Sequence, residues 1–318
     1  MSARDRKSLE RVASSESKYN RAEFYRDFPD DGACLDWLWR HLYSADGITG
    51  DCPKCQQARK FHRIQKRPSY SCDVCGHHIH PTAGTIFHKS STSLRMWFEA
   101  IYLMSATRSG ISAKQLEREI GVSYKTAWRM MREIRKLLSE DGGPFGGSGG
   151  VEIDETYVGG HKRGRRKRGR PATGDPYLTP VFGMVERKGR LVAVTVPNVQ
   201  RATVYPLIEK RVLPKTTVYT DEFTLYEPLT SKGYHHRRIQ HKEAVYVAGD
   251  VHTNTVEGFW SLLKRGISGV YHSVSAKHLQ SYLDEYSWRY NHRADDQAMF
   301  KTLLKNVRVE AVSESVSG

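Results

Sequence analysis

The spacing of hydrophobic positions changes character several times along the chain. Between residues 21 and 50, Phe24, Phe28, Leu35, Leu38 and Leu42 recur at helical intervals and predict a short helical lead-in. Phe61, Ile64, Tyr70 and Ile79 then stand singly among polar residues, as in small strands that cannot form a core by themselves. Helical spacing returns from Leu94 to Leu138. The stretch LRMWFEAIYLMSATRSG is apolar on most faces, which predicts a buried helix ending at Gly110. In ISAKQLEREIGVSYKTAWRMMREIRKLL, Ser112 can cap one helix, Gly121 can make a turn and Ser123 can cap a second.

Residues 142–150, GGPFGGSGG, have the composition of a flexible linker, and the pattern beyond them changes again. VEIDETYVGG alternates as a strand, and VFGMVERKGRLVAVTVPN reads as a hairpin turning at Lys188-Gly189. RATVYPLIEKRVLP predicts a helix and TVYTDEF a short strand ending at Asp221. In HTNTVEGFWSLLK, Asn254 lies three residues before Glu257, the spacing of a capping box at a helix start. Strands followed by mixed strands and helices indicate an α/β sheet with a helix packed across it.

Cysteine spacing adds a metal to this picture. Cys52-x-x-Cys55 and Cys72-x-x-Cys75 are separated by 16 residues, the pattern of a four-thiolate zinc site. A disulfide framework is the competing reading. The first twenty residues have no apolar core and form no secretory signal, so the thiols are expected to stay reduced and structural Zn²⁺ is favoured. Cys34, alone before Leu35-Asp36-Trp37, reads as a small buried apolar residue.

Charge then narrows the partner. The 318 residues carry a formal net charge of +15, which points to a polyanion. No stretch approaches 18 consecutive apolar residues, so a membrane span is not expected. Seven of the ten residues from Lys162 to Pro171 are Lys or Arg: Lys162, Arg163, Arg165, Arg166, Lys167, Arg168 and Arg170. Without an apolar anchor this is a solvated loop or an electrostatic arm on phosphates. Its Arg168-Gly169-Arg170-Pro171 also matches a short minor-groove hook. Tyr124, Lys125, Thr126 and Arg129 begin the second helix of the 112–138 pair, where a recognition helix would meet base edges.

Three acids suggest chemistry. Asp154 lies inside the first strand after the linker, Asp221 closes a later strand, and Glu257 begins a helix 35 intervening residues further on. A carboxylate inside an apolar strand is costly unless paired, and a divalent cation would compensate several at once. Hard oxygens of this kind suit Mg²⁺, and two ions about 4 Å apart can drive an in-line phosphoryl transfer. Lys264 lies two turns after Glu257 on the same helical strip, with Trp260 and Ser261 between them. Asn254, at the helix start, can cap or offer a neutral oxygen.

Taken together, FPDDGACLDWL, CPKC, CDVC, TAGTIFHKSSTSLRMWFEAIYLM, GISAKQLEREIGVSYKTAWRMMREIR, VEIDETYVGG, VYTDEFTLYEPL and HTNTVEGFWSLLKRG resemble the bacterial insertion-sequence DDE transposases that carry an N-terminal zinc ribbon. The resemblance covers roughly residues 24–293, nearly the whole chain. The resemblance implies a multidomain α+β protein. It would have a disordered tail (1–20), a helical lead-in and ribbon (21–90), a helix-turn-helix domain (91–141) and the linker (142–150). An α/β RNase H-like catalytic domain (151–300) with the basic insertion (161–174) and a C-terminal helix end and tail (301–318) would complete it.

The same resemblance implies two Mg²⁺ ions, with Mn²⁺ as the alternative, held by Asp154, Asp221 and Glu257. Asn254 is the rival for the third place, and Lys264 is the basic residue that follows. Terminal inverted repeats would be bound and cut to free 3′ hydroxyls, which then attack target DNA. No Ser, Cys or Tyr nucleophile is needed, so Tyr157 is read as structural. A homodimer or higher oligomer on paired ends, in the cytoplasm at the nucleoid and away from membranes, is expected. The alternatives are a metal-dependent nuclease or resolvase on the same fold, and a catalytically inactive DNA-binding regulator.

Overall fold

The computed structural model describes residues 14–140, 142–146, 149–159, 178–238 and 253–308. The chain forms two compact units, one of residues 1–108 with 292–318 and one of 109–291. No helix among the described residues is long and apolar enough to cross a membrane.

The first unit begins with two capped helices. Asn20 and Glu23 form a capping box on α1 (Arg21–Asp27), and Asp30 caps α2 (Asp31–Leu42). Four strands follow: β1 (Thr49–Cys52), β2 (Gln57–Ile64), β3 (Ser69–Cys72) and β4 (His78–Ile79). They pair antiparallel in sequence order. Their small core is Leu35, Trp39, Phe61, Tyr70 and Ile79 around buried Cys52 and Cys72. Trp39 stacks on Tyr70 at 4.3 Å between centroids. The apolar helix α3 (Leu94–Ala106) is buried at every residue from Trp97 to Ser105 and packs on α9 (Met299–Lys305), as its all-round hydrophobicity requires. It ends before Gly110. The tail expected to be disordered to residue 20 is packed from residue 14: Tyr19 stacks on Phe300, and the Ser15 hydroxyl donates to the His292 carbonyl.

In the second unit, α4 (Ala113–Ile120) and α5 (Tyr124–Lys136) are capped by Ser112 and Ser123, whose side chains accept from the amides of Gln115 and Thr126. Gly121 turns the chain at φ +71°, a conformation that favours glycine. The sheet has the order β7-β6-β5-β8-β9, from β5 (Val151–Gly159), β6 (Leu178–Glu186), β7 (Leu191–Thr195), β8 (Thr217–Thr220) and β9 (His235–Arg238). The first three form an antiparallel meander through the expected Lys188-Gly189 turn. After α6 (Arg201–Arg211) the chain returns to run β8 and β9 parallel to β5.

Alternation sorts the two faces of this sheet. Val151, Ile153, Phe182 and Met184 pack with Val204, Tyr205 and Ile208 of α6. Val181, Val185 and Ala193 pack on the other side with α7 (Asn254–Gly266) and α8 (Ala276–His292). Phe145 belongs to the first core, fully buried and bridged to Val212, so the glycine-rich stretch is pinned at its one aromatic residue instead of being a free linker. Edge strand β7 is covered by amide side chains of α8. Gln280 accepts from the Thr195 amide at 2.8 Å and donates to the Ala193 carbonyl, and Asn291 makes the same pair of bonds with Leu191. Four of its outward backbone groups are thereby met without another strand.

Candidate active site

The first of two clusters is the thiol site. β1 and β3 end at Cys52 and Cys72, and each following turn returns a second cysteine. Cys52 and Cys75 sulfurs are 3.5 Å apart, Cys55 and Cys72 sulfurs 4.0 Å, and all four lie within 4.8 Å of one another. Sulfurs about 2.3 Å from a tetrahedral Zn²⁺ stand about 3.8 Å apart, so this donor set fits the ion. The five cysteines are all free, which sets aside the disulfide framework.

The second cluster is acidic. Asp154 lies on β5 opposite Gly183 of β6, on the α7 side of the sheet. β5 pairs with parallel β8 at Val151–Val218 and Glu152–Tyr219, and Asp221, the residue that follows β8, is near enough for its charge to act on Asp154. Asp154 is largely buried, and burial, with the charges of Glu155 and Asp221, pushes its carboxyl from 3.8 up to about 7. Two hydrogen bonds oppose the shift: the Trp260 indole N–H donates to Asp154 Oδ2 at 2.9 Å, and the Glu155 backbone amide donates as well. The Asp221 Oδ1 accepts from the Phe223 amide at 3.0 Å. Glu155 accepts from the hydroxyl of buried Tyr226, whose pKa burial raises well above its usual value.

The position of α7 decides where the remaining acid goes. Trp260 lies against Gly183, where an added Cβ would stand 2.5 Å from the indole. Glu257 is exposed one turn before Trp260 on the strip that continues to exposed Lys264. The capping box expected of Asn254 and Glu257 is absent. Thr253 occupies the cap position and its hydroxyl donates to Glu257 Oε1 at 2.8 Å, while Asn254 is the first helical residue and exposed. The free amides of the first turn are instead met from the sheet. Glu152 Oε2 accepts from the Thr255 and Val256 amides at 2.9 and 3.1 Å, and Oε1 from the Thr255 hydroxyl. Among the described residues only the four cysteines form a metal-ligand group within 4.8 Å, so Glu257 does not close with the two aspartates here.

A family model, the ISXO2-like transposase domain, matches residues 147–291, the stretch that holds the sheet, both aspartates and α7. A protein described as belonging to transposable element ISH50 of Halobacterium salinarum is 32% identical over 272 residues, 80% of this chain and 90% of that one. The chain belongs to the insertion-sequence DDE transposases. A transposase-like protein of Haemophilus influenzae is 35% identical over 104 residues, 33% of this chain and 83% of that one. The Mos1 strand transfer complex matches at 15% identity and a TM-score of 0.27, over 66% of this chain and 74% of that chain.

In this transposase the residues expected at a recognition helix occupy one solvent face. Tyr124, Lys125 and Arg129 of α5 are exposed and Thr126 is half-buried. Trp128 is also exposed on that helix, with the Arg132 guanidinium 5.9 Å from its ring centre. The basic residues Lys162, Arg163, Arg165, Arg166, Lys167, Arg168 and Arg170 lie outside the described residues. Glu152 and Trp260 were not expected at the site. Glu152 carried a signal, since it stands two residues from Asp154 on the same face of an apolar strand and must be paired if buried.

Proposed function

We propose that this transposase binds the terminal inverted repeats of its element, cleaves there to free 3′ hydroxyls, and joins them to target DNA. One observation carries the reading. Asp154 on β5 and Asp221, the residue that follows β8, lie close enough for the charge of Asp221 to help drive Asp154 toward neutrality, and no ion pair to either is formed among the described residues. A hard, oxygen-rich, negatively charged position of this kind fits Mg²⁺. Asp154, Asp221 and Glu257 would hold it, with Asn254 as the rival for the third place. When bound, Mg²⁺ supplies Lewis-acid stabilisation of charge on phosphate oxygens.

The chain's own side chains provide the rest. Trp260 fixes the Asp154 carboxylate by its N–H bond. The strip from Glu257 to Lys264 aligns an acid and a cation along one helix, the cation suited to a backbone phosphate. Exposed Tyr124, Lys125, Thr126 and Arg129 would contact the repeat as the second helix of a helix-turn-helix. The ribbon, folded around Zn²⁺, contributes a cavity of about 500 Å³ lined by Arg63, Lys66, Arg67, Lys89 and Trp97, suited to a phosphate backbone. The strand order with its antiparallel meander and parallel pair supports an RNase H-like catalytic domain. Pairing of two ends would require at least a dimer on DNA.

A strand-transfer assay with pre-cleaved end DNA and Mg²⁺ tests the joining step. Joined product lost in Asp154→Ala is expected. With uncleaved ends run in parallel, cleavage there without joined product from pre-cleaved ends would instead assign a nuclease, and DNA binding without either reaction an inactive regulator.

A further inference from the structure

Glu152 is a fully buried carboxylate that the proposed chemistry leaves unused. It sits on β5, two residues before Asp154 and facing the same side of the sheet. Its two oxygens accept from both backbone amides at the second and third positions of α7 and from the Thr255 hydroxyl. Arg187, at the β6–β7 turn, donates to Oε1 at 3.0 Å while its guanidinium lies 3.7 Å from the ring centre of Tyr219 on β8. The helix cap is therefore supplied from the strand that carries Asp154, and by a charged group, which suits the positive end of the helix dipole. Since α7 also carries Trp260 and Glu257, one carboxylate sets the angle and depth at which Trp260 meets Asp154 and the place from which Glu257 projects.

We infer that Glu152 is a positioning residue for the acid site: by capping α7 from the central strand it holds Trp260 on Asp154 and fixes the helix from which Glu257 projects. This rests on the phosphoryl-transfer reading above. A local cap, such as Asn254, would fix the helix to its own loop. A cap from β5 fixes it to the strand of the first aspartate, where a displacement of about 1 Å at the reacting groups can cost a hundredfold in rate.

The test uses the full chain carrying Glu152→Ala or Glu152→Gln. Glutamine keeps an oxygen for the Thr255 and Val256 amides, whereas alanine leaves both without a partner. Three quantities are read: affinity for end DNA, single-turnover cleavage, and metal-free emission of Trp260, isolated by subtracting matching Trp260→Phe variants. For folded Glu152→Ala we expect DNA affinity within about twofold of wild type, cleavage at least about tenfold slower and a red-shifted Trp260 emission. Glu152→Gln should recover most of the rate and the emission. Wild-type cleavage in Glu152→Ala, unchanged Trp260 emission, or no recovery with glutamine would each overturn the assignment. Should Glu152→Ala fail to fold, Thr255→Val removes one of the bonds more gently. A smaller loss of the same kind, with the emission shift, supports the role, and wild-type behaviour in both readouts overturns it. If wild-type protein cleaves no DNA, the proposed function fails, while the emission measurement still decides whether Glu152 places Trp260.

Discussion

The four cysteines fall within a span of 24 residues, whereas Asp154 and Asp221 are 67 positions apart and Glu257 comes from a third element. In the ribbon, two tight turns bring the thiols together at a few ångströms even in a unit with a core of five large side chains. At the acids, a whole sheet with helices on both faces is needed to set two carboxylates beside each other, and the third stays open. A Zn²⁺ held by the four thiols would add to the stability that so small a core supplies. A catalytic metal at the acids would need a position that substrate can enter, which a set of carboxylates left open on a stable scaffold would provide.

The contrast is broken most strongly by removing metal. Chelation, or Cys72→Ser, should unfold the 49–79 sheet, because zinc supplies roughly 10 kcal/mol or more to sites of this kind. Loss of the exchange-protected amides of β1–β3, with those of β5 and β6 unchanged, is the expected pattern. A ribbon that keeps its protection without metal would remove the distinction.

Asp154 should behave in the opposite sense. Its folded pKa of about 7 lies above its ordinary 3.8, so the folded state retains a proton that the unfolded chain gives up between those values. Stability is therefore lost as pH rises from about 4 to 7, by about 4 kcal/mol in full, and the loss persists above 7. Asp154→Asn should raise the urea midpoint of metal-free protein at pH 8, with the gain shrinking below pH 7 and absent near pH 4. An unchanged or lowered midpoint at pH 8 would mean the aspartate is not held at a cost.

Glu257 sharpens the question of the third ligand. We expect Glu257→Ala to slow cleavage by about a hundredfold or more, with Asn254→Ala within about threefold of wild type, both retaining native stability. The reverse order in folded proteins would move the role to Asn254. The smallest effect is expected at Trp128, where alanine should weaken binding of end DNA by about 1 kcal/mol if the exposed ring stacks on the nucleic acid. Fluorescence anisotropy with labelled end DNA would measure it.

Much of the scaffold was legible because its signals are local. Ser112, Gly121 and Ser123 each act on residues within a turn of themselves, and Lys188-Gly189 makes a turn from its own backbone. The thiol cluster was legible for the same reason. The cap of α7 was not, because its acceptor is Glu152, about a hundred residues earlier, while Asn254 and Glu257 carry the right spacing by coincidence. Glycine content likewise hid the buried Phe145, since composition averages over the one residue that packs. Asp154 and Asp221 could be suspected singly from their strands, but their adjacency depends on a parallel register set by the crossover through α6.

The most direct measurement of the central claim is Mg²⁺-dependent nicking of DNA bearing the element's own ends, mapped at nucleotide resolution for wild type, Asp154→Ala and Asp221→Ala. Cuts at the boundary of the terminal repeat that leave 3′ hydroxyls, lost in both variants while their DNA binding stays within about twofold, are predicted. Cleavage that survives either substitution in folded protein would contradict it.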